Sequence, residues 1–161
     1  MKARNKESEQ QAGVPHGMRR MRRTQKGQAS SIVRILIADD SCTLRDALVE
    51  YLAGLPHIEV VGLAADGEQA VTLAASLRPD LVLMDLQMPR LNGLEATRKI
   101  RAGFPEVYVI VMTLYDGAEW QTASAEAGAH RFILKDHLND ELHGALAQLF
   151  SGHDRAEGAR A

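Results

Sequence analysis

Four short apolar runs in this chain end in side chains that could handle a metal ion and a phosphoryl group. Ile35-Leu36-Ile37-Ala38 leads into Asp39 and Asp40, and Leu81-Val82-Leu83-Met84 into Asp85. Val109-Ile110-Val111-Met112 leads into Thr113, and Phe132-Ile133-Leu134 into Lys135. Carboxylates are hard oxygen ligands of the kind magnesium takes, one or two at a time, while it keeps several waters. Three of them brought together without a cation would repel and raise one another's pKa. A bound Mg²⁺ removes that conflict and offsets the charge of an incoming phosphoryl group. A carboxylate can itself be the nucleophile, giving an aspartyl-phosphate. A hydroxyl and an ammonium, here Thr113 and Lys135, can each hold a phosphoryl oxygen. Loose phosphoryl transfer needs mainly positioning and charge stabilisation, so this small set is sufficient. Any one of these residues alone reads better as a turn or cap residue. Their conjunction at four successive run ends is what points to chemistry.

The elements around them must bring the run ends together. The pattern from residue 32 alternates strand and helix, with strands expected at 32–38, 58–64, 81–84, 107–112 and 131–134. The run at 81–84 is apolar throughout, as a central strand covered on both faces should be. Between the strands lie helical apolar faces: Leu44, Ala47, Leu48, Tyr51 and Leu52; Ala70, Leu73, Ala74 and Leu77; and a segment at 94–102. A weaker helix at 117–127 carries Trp120, Ala123 and Ala127, and a last one carries Leu138, Leu142, Ala145, Leu146 and Leu149. Ser41 is an N-cap for the first helix, and Asp66-Gly67 reads as a turn. Five strand–helix units with short connections predict an α/β fold: a doubly wound, five-stranded parallel sheet with helices on both faces. In such sheets ligands bind at the carboxyl ends of the strands.

The 161 residues suit one domain, and 45% apolar with 25% charged residues is ordinary for a globular chain. Charge is unevenly spread. Residues 1–31 hold Lys2, Arg4, Lys6, Arg19, Arg20, Arg22, Arg23 and Lys26 against Glu7 and Glu9, a net +6, which leaves −8 for the rest. That basic head has almost no apolar periodicity and is expected to be a disordered, solvated extension; residues 151–161 are expected to be a short disordered tail. Cys42 is the single cysteine, which fits a reducing compartment. No apolar stretch reaches bilayer-spanning length and no secretory h-region is present, so a cytoplasmic location is expected. No GxGxxG or Walker-type lysine loop follows a strand.

The segments Leu36-Ile37-Ala38-Asp39-Asp40-Ser41, Asp80 through Pro89, Gly93-Leu94-Glu95-Ala96 and Phe132-Ile133-Leu134-Lys135-Asp136 resemble the receiver domain of bacterial response regulators, closest in phrasing to the NarL/FixJ type. The likeness covers roughly residues 32–150. It implies a CheY-like, flavodoxin-type sheet of order 2-1-3-4-5. It implies that Asp85 is the phosphoacceptor, that Asp40 binds Mg²⁺ directly with Asp39 assisting, and that the Gln87 carbonyl completes the protein's share of the metal shell. Thr113 and Lys135 would clasp the phosphoryl group, Phe132 would be the switch aromatic, and Gln87 and Tyr115 would tune phosphoryl lifetime. A second Asp at position 87, which a dehalogenase-like phosphatase would require, is absent.

The resemblance therefore implies a phosphoprotein of a two-component phosphorelay, fed by a sensor histidine kinase or phosphotransfer protein. It would catalyse only its own phosphorylation and dephosphorylation, without turning over an external substrate. Its output would be an altered face of the fourth helix, fifth strand and fifth helix, presented to an unnamed partner protein; a homodimer stays open. Trp120 is expected on that helix, for packing or for partner contact. The alternative is a truncated or tail-dependent DNA-binding transcriptional regulator. The absence of a recognisable output domain after Phe150 weighs against DNA binding, and no membrane partner is expected.

Overall fold

A computed structural model describes residues 32–157, with side chains described as far as residue 149. The expected disordered segment 1–31 and residues 158–161 lie outside the described residues. Strands β1 (Val33–Ala38), β2 (Ile58–Ala64), β3 (Leu81–Asp85), β4 (Tyr108–Thr113) and β5 (Arg131–Leu134) alternate with helices α1 (Cys42–Ala53), α2 (Gly67–Leu77), α3 (Gly93–Gly103), α4 (Ala118–Glu126) and α5 (Leu138–Glu157). All strand pairs are parallel and the order is β2-β1-β3-β4-β5, as expected.

Successive strand residues point to opposite faces, so each apolar run serves two cores. Ile35, Ile37, Leu81, Leu83, Ile110, Met112 and Ile133 pack with Leu48 and Leu52 of α1 and Leu142 and Leu146 of α5. Leu36, Ala38, Val82, Met84 and Val109 pack with Ala70 and Ala74 of α2 and Ala96 and Ile100 of α3. β3 is buried along its whole length, which is why its sequence shows no polar alternation.

The register aligns the run ends. Ala38 pairs with Met84, Met84 with Val111, and Val111 with Phe132. One residue on, Asp85 lies opposite Met112 and Met112 opposite Ile133; then Thr113 lies opposite Leu134, immediately before Lys135. Parallel pairing alone thus gathers Asp39, Asp85, Thr113 and Lys135 at one sheet edge.

Three local expectations change. Asp66-Gly67 is a helix start rather than a free turn: Asp66 caps α2, its side chain accepting from the Gln69 amide at 2.8 Å. Ala47 is exposed, so the buried stripe of α1 is narrower than its apolar spacing suggests. α5 continues to Glu157, past the boundary at residue 150, because helical backbone needs no apolar face where the periodic stripe has run out. The Ser41 cap forms, its hydroxyl accepting from the Leu44 amide at 3.3 Å. Among the described residues no helix is long and apolar enough to cross a membrane.

Candidate functional site

Asp39 follows β1 and Asp85 ends β3, and both are buried, whereas Asp40 is exposed at the crevice mouth. One carboxylate oxygen from each lies within 4.8 Å of the other two. The Asp39 side chain is oriented by the Ser41 amide, which donates to Oδ1 at 2.9 Å. The Arg45 guanidinium donates to the Asp39 carbonyl at 2.5 Å. Lys135, first residue of a single 3-10 turn after β5, reaches back so that Nζ lies 2.6 Å from Asp39 Oδ2 and 3.1 Å from Asp85 Oδ1. Thr113 is buried at the end of β4, where Oγ1 accepts from the Tyr115 amide at 3.1 Å. That bond leaves the hydroxyl proton free to donate into the crevice.

The electrostatics are those of a buried acidic cluster with one ammonium partner. Burial pushes the Asp85 carboxyl up to about 6; the Lys135 ammonium opposes the rise, and Asp39 adds to it. Burial would lower Lys135, but the Asp39 and Asp85 carboxylates outweigh it and hold the ammonium above the usual lysine range. Asp39 Oδ2 is buried, with the Lys135 ammonium 2.6 Å away as its partner. An exposed carboxylate at the mouth and two buried ones behind it, with an oxygen of each within 4.8 Å of the others, fit a hard divalent cation.

The β3–α3 loop is tightly held beneath the site. A Cβ on Gly93 would fall 1.9 Å from the Asp85 carbonyl oxygen, and the Gly93 amide donates to the Leu86 carbonyl at 2.8 Å. A Cβ on Gly67 would fall 2.0 Å from the Leu91 carbonyl oxygen. Arg90, at φ +66°, pairs with the buried Asp66, and this holds the Asp66 carboxyl below the usual range. Sequence reasoning missed this clamp. Its one visible signal, Asp66-Gly67, suggests only a local turn, although both residues are needed by a loop more than twenty positions away.

Gln87 and Tyr115 come together: the Tyr115 hydroxyl donates to Gln87 Oε1 at 2.8 Å. Trp120 is half-buried, its ring 5.5 Å from that of Tyr115 at 38°. It lines a groove of about 540 Å³ with Asp40, Leu86, Gln87, Met88 and Leu94. Trp120 therefore faces the site, which the periodicity of α4 did not reveal. Phe132 is half-buried on β5 and belongs to neither apolar core.

The family model for the response regulator receiver domain matches residues 35–147. The chain belongs to that family. Response regulator GacA of Pseudomonas aeruginosa is 36% identical over 121 residues, which span 75% of this chain and 56% of that protein. The chain thus covers about half of that curated relative. The response regulator domain of Thermotoga maritima CheB superposes with a TM-score of 0.69 at 33% identity, covering 74% of this chain and 97% of that one. The signal receiver domain of the putative response regulator NarL from Mycobacterium tuberculosis gives 0.70 at 28% identity, covering 76% and 98%. This receiver domain thus has the fold and the acidic cluster at strand ends that its sequence led us to expect.

Proposed function

We propose that Asp85 is the phosphoacceptor of this receiver. The observation that carries the reading is its position: a buried carboxylate 3.1 Å from Lys135, one residue along the sheet edge from Thr113, and grouped with Asp39 and Asp40. An Asp85 oxygen attacks phosphorus, and the donor's bond to phosphorus breaks with its electron pair leaving on the donor. Ionised Asp85 is the nucleophile, so the Lys135 ammonium promotes the reaction by opposing the effect of burial. Thr113 then donates its free hydroxyl proton to one phosphoryl oxygen, and Lys135 holds another.

Asp39, Asp40, Asp85 and the Gln87 carbonyl would hold Mg²⁺, which supplies neutralisation of phosphoryl charge when bound. With the phosphoryl group held by Thr113 and Lys135, the state with Phe132 packed inward is favoured, and the α4-β5-α5 face changes for its partner. The donor in this reading is a cytoplasmic histidine kinase or phosphotransfer protein. The chain acts as a phosphorylation-controlled interaction module whose only catalysis is on itself.

Intact mass spectrometry after treatment with acetyl phosphate and Mg²⁺ tests the reading. A phosphoryl adduct forms on the native chain and is abolished in Asp85→Asn and by chelation. An adduct that survives Asp85→Asn sinks it.

A further inference from the structure

Arg90, midway between Gln87 and Gly93 in the loop after β3, has φ +66°, a conformation that side chains other than glycine rarely adopt. The Leu91 amide donates to the Pro89 carbonyl at 2.8 Å, which makes Arg90 the centre of a three-residue γ-turn. With positive φ at its centre this is the rare, strained form of that turn, and it persists only where the surroundings fix it. Asp66 fixes it. Its buried carboxylate takes the Arg90 guanidinium on Oδ2 and the Gln69 amide on Oδ1, the latter at 2.8 Å, so one side chain grips both the loop and the first turn of α2. Only Met88 and Pro89 separate Arg90 from Gln87. Met88 belongs to the apolar core that includes Ala70, Ala96 and Ile100, and the proline ring locks its own φ. Residues 87–90 therefore have little freedom of their own, and what fixes Arg90 bears directly on the peptide plane of Gln87.

We propose that Asp66 and Arg90 are positioning residues for the divalent cation: their ion pair, made at the start of α2 and outside the acidic cluster, holds the Gln87 carbonyl in register and so sets the affinity for Mg²⁺. The inference rests on the Gln87 carbonyl being a metal ligand, as proposed above. Mg²⁺ demands near-ideal octahedral geometry, so a small rotation of one ligand is felt as lost affinity. The charges of the pair, taken alone, predict something different. A guanidinium repels a dication, so its removal would tighten Mg²⁺ binding, whereas removal of the Asp66 charge would loosen it. Positioning makes both removals loosen it, and the sign of the Arg90 effect separates the two accounts.

The test is Mg²⁺ titration, by calorimetry and by the fluorescence of Trp120, the single tryptophan, which lines the groove with Asp40. Asp66→Asn keeps the helix cap, since Asn caps as well as Asp. It raises the Mg²⁺ Kd about three- to tenfold, at or below the low end for residues bonded directly to a metal ligand. Arg90→Gln raises it by a similar factor, and Arg90→Lys, which keeps a charge for Asp66, stays within about twofold of the native chain. The double variant Asp66→Asn/Arg90→Gln binds no more weakly than either single one, because both break one pair. Arg90 is 57% exposed, so Arg90→Gln leaves the urea midpoint of metal-free protein close to native, and its weaker site is not a partly unfolded one. Labelling of Asp85 by acetyl phosphate needs correspondingly more Mg²⁺ for half-saturation but reaches the native rate at saturation. A tighter Kd in Arg90→Gln, an unchanged Kd in Asp66→Asn, or additive effects in the double variant overturns the clamp while leaving the acceptor intact. A native chain that binds no Mg²⁺ overturns the metal reading and the clamp with it.

Discussion

The loop after β3 carries Gly93 beneath the Asp85 carbonyl, Leu91 against Gly67, and Arg90 on the buried Asp66. The loop after β4 leaves Leu114 67% and Tyr115 41% exposed, and turns at Gly117 with φ +153°. One loop is pinned by close backbone approach and an ion pair; the other is tied by two hydrogen bonds and a ring contact. The pinned loop fixes the backbone that follows Asp85 and carries Gln87, while the loop after β4, which carries Thr113 and Tyr115 towards α4, is held by fewer contacts. In the proposed reading, rigid support under Asp85 and adjustable contacts beside it would suit a switch whose states differ by few interactions.

Substitutions sharpen that contrast, beginning with the pinned loop. Gly93→Ala puts a methyl 1.9 Å from the Asp85 carbonyl oxygen, where backbone must yield. It should lower stability by about 3 kcal/mol or more in urea unfolding, with loss of the Asp85 adduct.

Next in size is the pH response of metal-free protein. The folded Asp85 pKa of about 6 lies above its ordinary 3.8, so between those values the folded state binds more protons than the unfolded one. The stabilisation is complete below the lower value and is lost as pH rises through the upper one. Unfolding free energy attributable to Asp85 should therefore fall by on the order of 2–3 kcal/mol from pH 4 to pH 7. Asp85→Asn or added Mg²⁺ should flatten this difference in urea titrations. A stability that rises through this window on account of Asp85 contradicts the burial argument.

The loop after β4 should be more forgiving. A Cβ at Gly117 meets only the flexible Glu119 carboxylate at 3.0 Å, but the backbone sits in a glycine-favouring region. Gly117→Ala should cost about 1–2 kcal/mol by thermal melting, less than Gly93→Ala. Leu114→Ser, at a position already in solvent, should change stability by less than about 0.5 kcal/mol. The same thermal melts check this.

The same contrast explains which features were readable from the residues. Strand ends such as Met84-Asp85 and Met112-Thr113 stand out because a buried parallel strand is a continuous apolar run, and its first polar residue marks the sheet edge. Ser41 was legible as a cap because capping is local in sequence. Asp66 was not legible as an anchor for Arg90, since nothing near Asp66 in the chain mentions a loop after β3. Trp120 was ambiguous because α4 buries only Ser124 among its own residues, too weak a stripe to orient the helix. The extent of α5 was underestimated because apolar spacing reports burial, whereas a helix can continue without it.

The residues by themselves determined the order of strands and helices, the two-faced core and the identity of the five chemical groups, since local periodicity and residue type carry that information. Tertiary structure alone decided that Lys135 lies between Asp39 and Asp85, that Gly93 and Arg90 hold the loop after β3, and that Tyr115 bonds Gln87 beside the Trp120 ring. Those are pairings between segments far apart in the chain. Their geometry is set by strand register and helix packing, which no local pattern encodes.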